Sequence, residues 1–146
     1  GLLLGTNYRA AEDAVRLMAS VAGHATERTL VQTLSPSLLG VQALVQGSPE
    51  VFLRSQLVER RKLGFPPCGE IVVLEVRDGP DEAANRIAEL ARDGVQVFGP
   101  HESPSGFRWL IQGASLTRTR VTLRDIADWL RRQGASLRID VDPLDL

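Results

Sequence analysis

An α+β fold, a four-stranded antiparallel sheet with two helices on one face, is predicted for residues 68–146. Three observations predict it. Short runs rich in Val, Ile and Leu alternate with helical patterns, Gly and Pro punctuate them, and the order reads β-α-β-β-α-β. That order is the split-βαβ, ferredoxin-like arrangement, whose second sheet face is left for a partner, another domain or solvent.

Ile71–Val76 is the first strand. Pro80 at a helix start, with Asp81 and Glu82 in the first turn, leads a helix that Gly94 ends. Val95–Phe98 is the next strand, residues 99–106 a Pro/Gly/Ser loop, and Phe107–Gln112 a third strand. A helix runs from Thr119 to Gln133, with Thr122-x-x-Asp125 as a capping box. Leu137–Val141 closes the sheet, its apolar residues inward and Asp140 and Asp142 on the outward face.

Upstream, residues 9–22 place Ala11, Ala14, Val15, Met18 and Val21/Ala22 on one helical face, with Gly23 as C-cap. Thr29–Thr33 reads as a short strand, Ser35-Pro36 as a turn, and residues 38–46 as a helix. Gly47-Ser48-Pro49 marks a domain boundary. A third helix over 49–62 packs through Val51, Phe52, Leu57 and Val58, and stops before Gly64-Phe65-Pro66-Pro67 because proline disfavours helix.

A chain of 146 residues, 43% hydrophobic and 24% charged, suits one soluble globular domain or one domain and part of another. Aromatics are only 5%, so the core rests on aliphatic residues. No apolar run approaches the ~18–20 residues of a membrane span, and Gly1–Gly5 lacks the features of a signal peptide; it reads as internal to a longer chain. The single cysteine, Cys68, excludes a disulfide framework and a multi-cysteine zinc site, and suits the reducing cytoplasm. Asp140, Asp142 and Asp145 are read as a solvated strand edge rather than a metal site. His24 and His101 are the only histidines, and no nucleophilic triad stands out. No catalytic residue, metal or cofactor is expected.

A net charge of −1 conceals an uneven distribution. Residues 54–62 carry Arg54, Arg60, Arg61 and Lys62 against Glu59, and residues 108–138 carry seven arginines against Asp125 and Asp128. At 100° per residue, Arg120, Arg124 and Arg131 fall within about 40° of one another, opposite Leu123, Ile126, Ala127 and Leu130. Such a stripe either binds phosphate or carboxylate bidentately or is a solvated face partly paired with Asp128. Alternation points Arg108 and Trp109 to opposite sides of their strand; Arg108 is expected outward and Trp109 in the core.

Two phrases carry a family resemblance. Leu57-Val58-Glu59-Arg60-Arg61-Lys62-Leu63-Gly64-Phe65-Pro66-Pro67 and Ile139-Asp140-Val141-Asp142-Pro143, at this separation, resemble the C-terminal domain of the bacterial replication restart family PriA. Val21-Ala22-Gly23-His24-Ala25-Thr26-Glu27 resembles helicase motif VI of that family's second RecA-like lobe, with Tyr8-Arg9-Ala10-Ala11-Glu12 before it and Val31-Gln32-Thr33 and Pro36 after it. The resemblance implies a partial RecA-like lobe over 1–48, a linker helix and Pro-Pro turn over 49–67, and the C-terminal domain over 68–146. Motif VI needs arginines to neutralise charge on the transferring phosphoryl group. Here Ser20 replaces the glutamine, and His24 and Glu27 replace the arginines. With no phosphate loop in the chain either, a pseudo-helicase is expected.

The expected function is therefore binding of single-stranded or forked DNA and docking of partners, without catalysis. DNA contacts are expected from Arg54, Arg60, Arg61, Lys62, Arg108 and Arg131. The resemblance implies that Arg120 and Arg124 meet the acidic, Phe-ending tail of single-stranded DNA-binding protein (SSB), and that other primosome proteins are partners. Two alternatives remain: a fragment of an active ATP-dependent 3′–5′ helicase, and a non-DNA interaction or ligand-sensing module on the same scaffold.

Overall fold

The computed structural model describes residues 9–143. Tyr8, Asp145 and the Gly1–Gly5 segment lie outside the described residues. The chain divides into two compact units, one running up to Glu59 and the other spanning Arg60–Pro143. Pro49 starts a helix, as its fixed φ favours, but the division falls ten residues later, inside that helix.

The first unit holds α1 (Ala10–Gly23), α2 (Leu39–Val45) and most of α3 (Pro49–Leu63). Its small core is Val15, Ala43 and Phe52, with Met18, Leu44 and Leu53 against it. Helix α2 approaches closely because Gly40 has no side chain: a Cβ there would lie 2.7 Å from Val15 Cγ2. The face of α1 differs from the expected one. Glu12 and Val15 are buried, while Ala11, Ala14 and Val21 are exposed. On α3 only Phe52 of the four expected packing residues is buried; Val51, Leu57 and Val58 face outward. Thr29–Thr33 forms no strand, for no strand among the described residues pairs with it, and Leu30 is 93% exposed.

Helix α3 ends by a mechanism other than its prolines. Gly64, at φ 67°, donates to Arg61 O at 3.4 Å, and Phe65 donates to Arg60 O at 2.9 Å. This pair of bonds is a Schellman stop, which needs a left-handed residue and so selects glycine. The following turn buries Phe65.

In the second unit, β1 (Glu70–Arg77), α4 (Glu82–Ala88), β2 (Gln96–Ser103), β3 (Gly106–Gly113), α5 (Thr117–Arg132) and β4 (Ser136–Val141) follow the expected β-α-β-β-α-β order. All neighbouring strands are antiparallel, in the order β2-β3-β1-β4. Period-2 alternation aims Val72, Leu74 and Val76 of β1, with Trp109 and Ile111 of β3, at α4 and α5. There they meet Ile87, Leu123, Ile126 and Leu130. Each fully buried aliphatic side chain contributes about 1.5–3 kcal/mol, so this layer dominates the unit's stability. The opposite face is not uniformly open. Ile71, Val73 and Leu110 are buried there, and Gln112 Nε2 donates to the carbonyl of Leu63, the last residue of α3.

Three boundaries differ from the sequence reading. Helix α4 ends at Ala88 rather than near Gly94, and Asp93 and Gly94 both adopt positive φ. Strand β2 continues to Ser103 across the expected loop, because His101, Glu102 and Ser103 pair with Arg108, Phe107 and Gly106. Its register shifts between Phe98 and His101, where Gly99 at φ 121° passes so close to Arg108 O that a Cβ would sit 2.7 Å away. Helix α5 begins at Thr117, which places Thr122 inside it and leaves the expected capping box unformed.

Candidate nucleic-acid interface

The expected site residues fall on several separate surfaces. In the first unit, Arg54 is exposed. Ser20 and His24 end α1, where His24 Nδ1 meets Ser20 O at 2.7 Å; Glu27 is exposed beyond it. Ser20 and His24 thus form a helix terminus, the imidazole pairing with one of the last carbonyls.

In the second unit, Arg61 and Lys62 are exposed at the end of α3. Their positive charge sits at the negative end of the helix dipole, which favours it there. Arg60 acts differently, since its Nη1 donates to Pro66 O at 3.0 Å and braces the Pro66-Pro67 turn.

The arginine stripe on α5 is only partly available. Arg120 Nη2 lies 3.2 Å from Glu70 Oε2 and 4.0 Å from Asp142 Oδ2. Glu70 Oε2 also accepts the Leu116 N–H at 2.8 Å, so a carboxylate from β1 caps the start of α5 from 46 residues away. Asp142 Oδ1 accepts the Ile71 N–H at 2.8 Å, and Asp142 N donates to Ile71 O at 2.8 Å. The Asp-Val-Asp-Pro phrase therefore acts structurally: Asp142, at φ 48°, ties the end of β4 to the start of β1 and faces Arg120. Arg131 pairs with Asp128 at 2.9 Å in the open, an ion pair worth little in water. Arg124 is exposed with no ion pair among the described residues.

Arg108 points away from the helices, as expected, while Trp109 is 3% exposed in the core. Sequence reasoning missed its partner. Arg108 Nη2 and Nε lie 2.7 and 2.9 Å from Glu75 Oε1, and Ser105 Oγ donates to Glu75 Oε2 at 3.3 Å. Burial alone would push the Glu75 carboxyl up. The Arg108 bonds and charge, the Ser105 hydroxyl and the Arg138 charge outweigh it and hold the group below the ordinary glutamate value.

A groove of about 810 Å³ between α4 and α5 was also invisible in the sequence. Arg86 covers the Trp129 ring there, 4.0 Å from its centroid. Arg118 and Arg132 line the groove, but Glu89, Asp93 and Asp125 alternate with them. Among the described residues, no group of three or more His, Cys, Asp or Glu is placed to hold a metal ion, and no helix is long and apolar enough to cross a membrane.

Residues 61–144 match the family described as the primosomal protein N C-terminal domain, more than half of the chain. The chain belongs to that family. It is 26% identical over 165 residues to a Synechocystis replication restart protein PriA, across 99% of this chain and 20% of that protein. It thus spans about a fifth of that relative's length. Among solved structures, it is similar to a C-terminal segment of the alpha subunit of aIF2 from Pyrococcus abyssi, at 11% identity and a TM-score of 0.29, covering 91% of this chain and 92% of that one. That likeness carries no argument about function. The family match and this relative together support a PriA C-terminal region.

Proposed function

We propose that this chain is the DNA-binding and partner-docking part of a replication restart protein. It binds single-stranded or branched DNA without base preference, docks the acidic SSB tail and other primosome proteins, and catalyses nothing itself. Residues 1–48 are then the remnant of a second RecA-like lobe that has lost its motor chemistry.

The observation that carries the reading is the family match over 61–144 on a unit whose exposed cations are predominantly guanidinium groups. Guanidinium forks suit phosphate and carboxylate alike, since two parallel N–H donors meet two oxygens. Arg61 and Lys62 at the end of α3 supply one phosphate-facing cluster, and Arg124 supplies an unpaired fork on α5 for a carboxylate tail. The absence of an arginine at His24 and Glu27 supports a non-hydrolysing remnant, because a carboxylate repels a triphosphate.

Fluorescence anisotropy of labelled forked DNA, titrated at low and high salt, tests the proposal. Micromolar binding that weakens steeply with salt is expected. Tight binding indifferent to salt, or no binding at low salt, refutes it.

A further inference from the structure

The antiparallel register aligns four polar side chains across the sheet on the face away from α4 and α5. His101 of β2 stands opposite Arg108 of β3, Arg108 opposite Glu75 of β1, and Glu75 opposite Arg138 of β4. Two residues along β1, on the same face, Arg77 follows; its Nε donates to Ser105 O at 3.2 Å. One step the other way, Phe98 stands opposite Leu110 and is 40% exposed. One end of this face is thus cationic, with an exposed aromatic ring at its margin, while Ile71, Val73 and Leu110 bury the other end.

We infer that this end of the sheet is the track for single-stranded DNA, its phosphates held by Arg77, Arg108 and Arg138 and a base stacked on Phe98. The inference rests on the proposed DNA-binding function and names the surface that performs it.

Donor geometry supports the assignment. Glu75 is 8% exposed and sits beneath the row, and both of its oxygens are already occupied by Arg108 and Ser105. It therefore orients Arg108 rather than competing for an incoming anion. Arg108 spends Nε–H and one Nη2 donor on Glu75, leaving three of five; Arg77 spends only Nε–H on Ser105. Arg138 has a side chain 70% exposed, with Asp140 3.5 Å away. Three arginines against Glu75 and Asp140 leave this end of the face at +1. Arg108 and Arg138 flank β1 on neighbouring strands, so their Cα atoms stand about 10 Å apart across the sheet.

An aromatic ring on a sheet beside guanidinium forks is the combination that holds unpaired bases without reading their edges, because every base has a π-face. A duplex presents no such face. The α4–α5 groove is the rival surface, and there the carboxylates are interleaved among the arginines at the same level.

The test uses the full 146-residue chain and fluorescein-labelled oligodeoxythymidylate over a range of salt. Arg77→Gln/Arg138→Gln removes two phosphate contacts, so the slope of log K against log salt should fall by about 1.4. Circular dichroism confirms that the variant folds. A 5-iododeoxyuridine oligonucleotide should also photocrosslink to Phe98. Binding by the parent chain with an unchanged slope in Arg77→Gln/Arg138→Gln, or crosslinks confined to α4 and α5, overturns this surface and leaves the function standing. No binding by the parent chain sinks both.

Discussion

Replacing Asp142 probes the joint that the structure places at the family's C-terminal phrase. Asp142 Oδ1 accepts the N–H of Ile71, which is 0% exposed, so removing the carboxylate strands a donor that water cannot reach. That costs about 1–3 kcal/mol. Asp142 also sits at φ 48°, a left-handed conformation that Asn and Asp tolerate and that costs Ala about 1–2 kcal/mol. Asp142→Ala should therefore lose about 2–5 kcal/mol. Asp142→Gly keeps the backbone freedom and should lose only the donor's cost, about 1–3 kcal/mol. Asp142→Asn retains both the acceptor and the conformational tolerance. It gives up only the 4.0 Å approach to Arg120 between half-exposed side chains, worth under about 1 kcal/mol. Urea unfolding followed by tryptophan fluorescence reads this order directly, because Trp109 and Trp129 both belong to the Arg60–Pro143 unit. Asn falling as far as Ala, or Ala costing nothing, would refute the account of this joint.

Further outcomes follow from the same contacts. Glu75→Gln should destabilise by about 1–3 kcal/mol at neutral pH. Because the native pKa of Glu75 is depressed, its contribution is complete above the ordinary glutamate value, about 4.3, and is lost as pH falls through the native value. The urea midpoints of parent and variant should accordingly converge in acid; a gap that widens there contradicts the sign. Gly99→Ala forces a Cβ to within 2.7 Å of Arg108 O at φ 121°, and should lower stability by more than about 1 kcal/mol in the same assay. For an acidic, Phe-ending peptide, calorimetry should show Arg124→Ala weakening binding while the melting temperature holds, whereas Arg120→Ala should lower that temperature as the Glu70 and Asp142 contacts are lost. An Arg120→Ala protein of unchanged stability would remove the structural role given to that residue.

Periodicity carried most of the fold. The alternation of β1 and β4 and the apolar stripe of Leu123, Ile126, Ala127 and Leu130 are local signals, and the elements appear where those signals lie. Several of the failures share a physical cause, which is pairing between residues distant in sequence. Gly99-Pro100 looks like a loop, yet β3 supplies enough partners to carry β2 through it. Thr29–Thr33 has the composition of a strand but no pairing strand among the described residues, so it remains irregular. Helix α5 takes its cap from Glu70, a residue no local motif would nominate. The arginine stripe on α5 was legible as a pattern, but whether each guanidinium was free depended on Glu70, Asp142 and Asp128, and only the last lies close in sequence. Arg108 was correctly placed outward from the helices, while its tie to Glu75 required the β1–β3 register.

Amide hydrogen exchange of the whole chain, with and without oligodeoxythymidylate at low salt, tests the claim that exposed guanidinium groups of the second unit hold the DNA backbone. Protection concentrated at the Arg77, Arg108 and Arg138 end of the sheet and around Arg61 and Lys62 is the predicted result. Protection confined to the outer surface of α4 and α5, or none at saturating DNA, would contradict it.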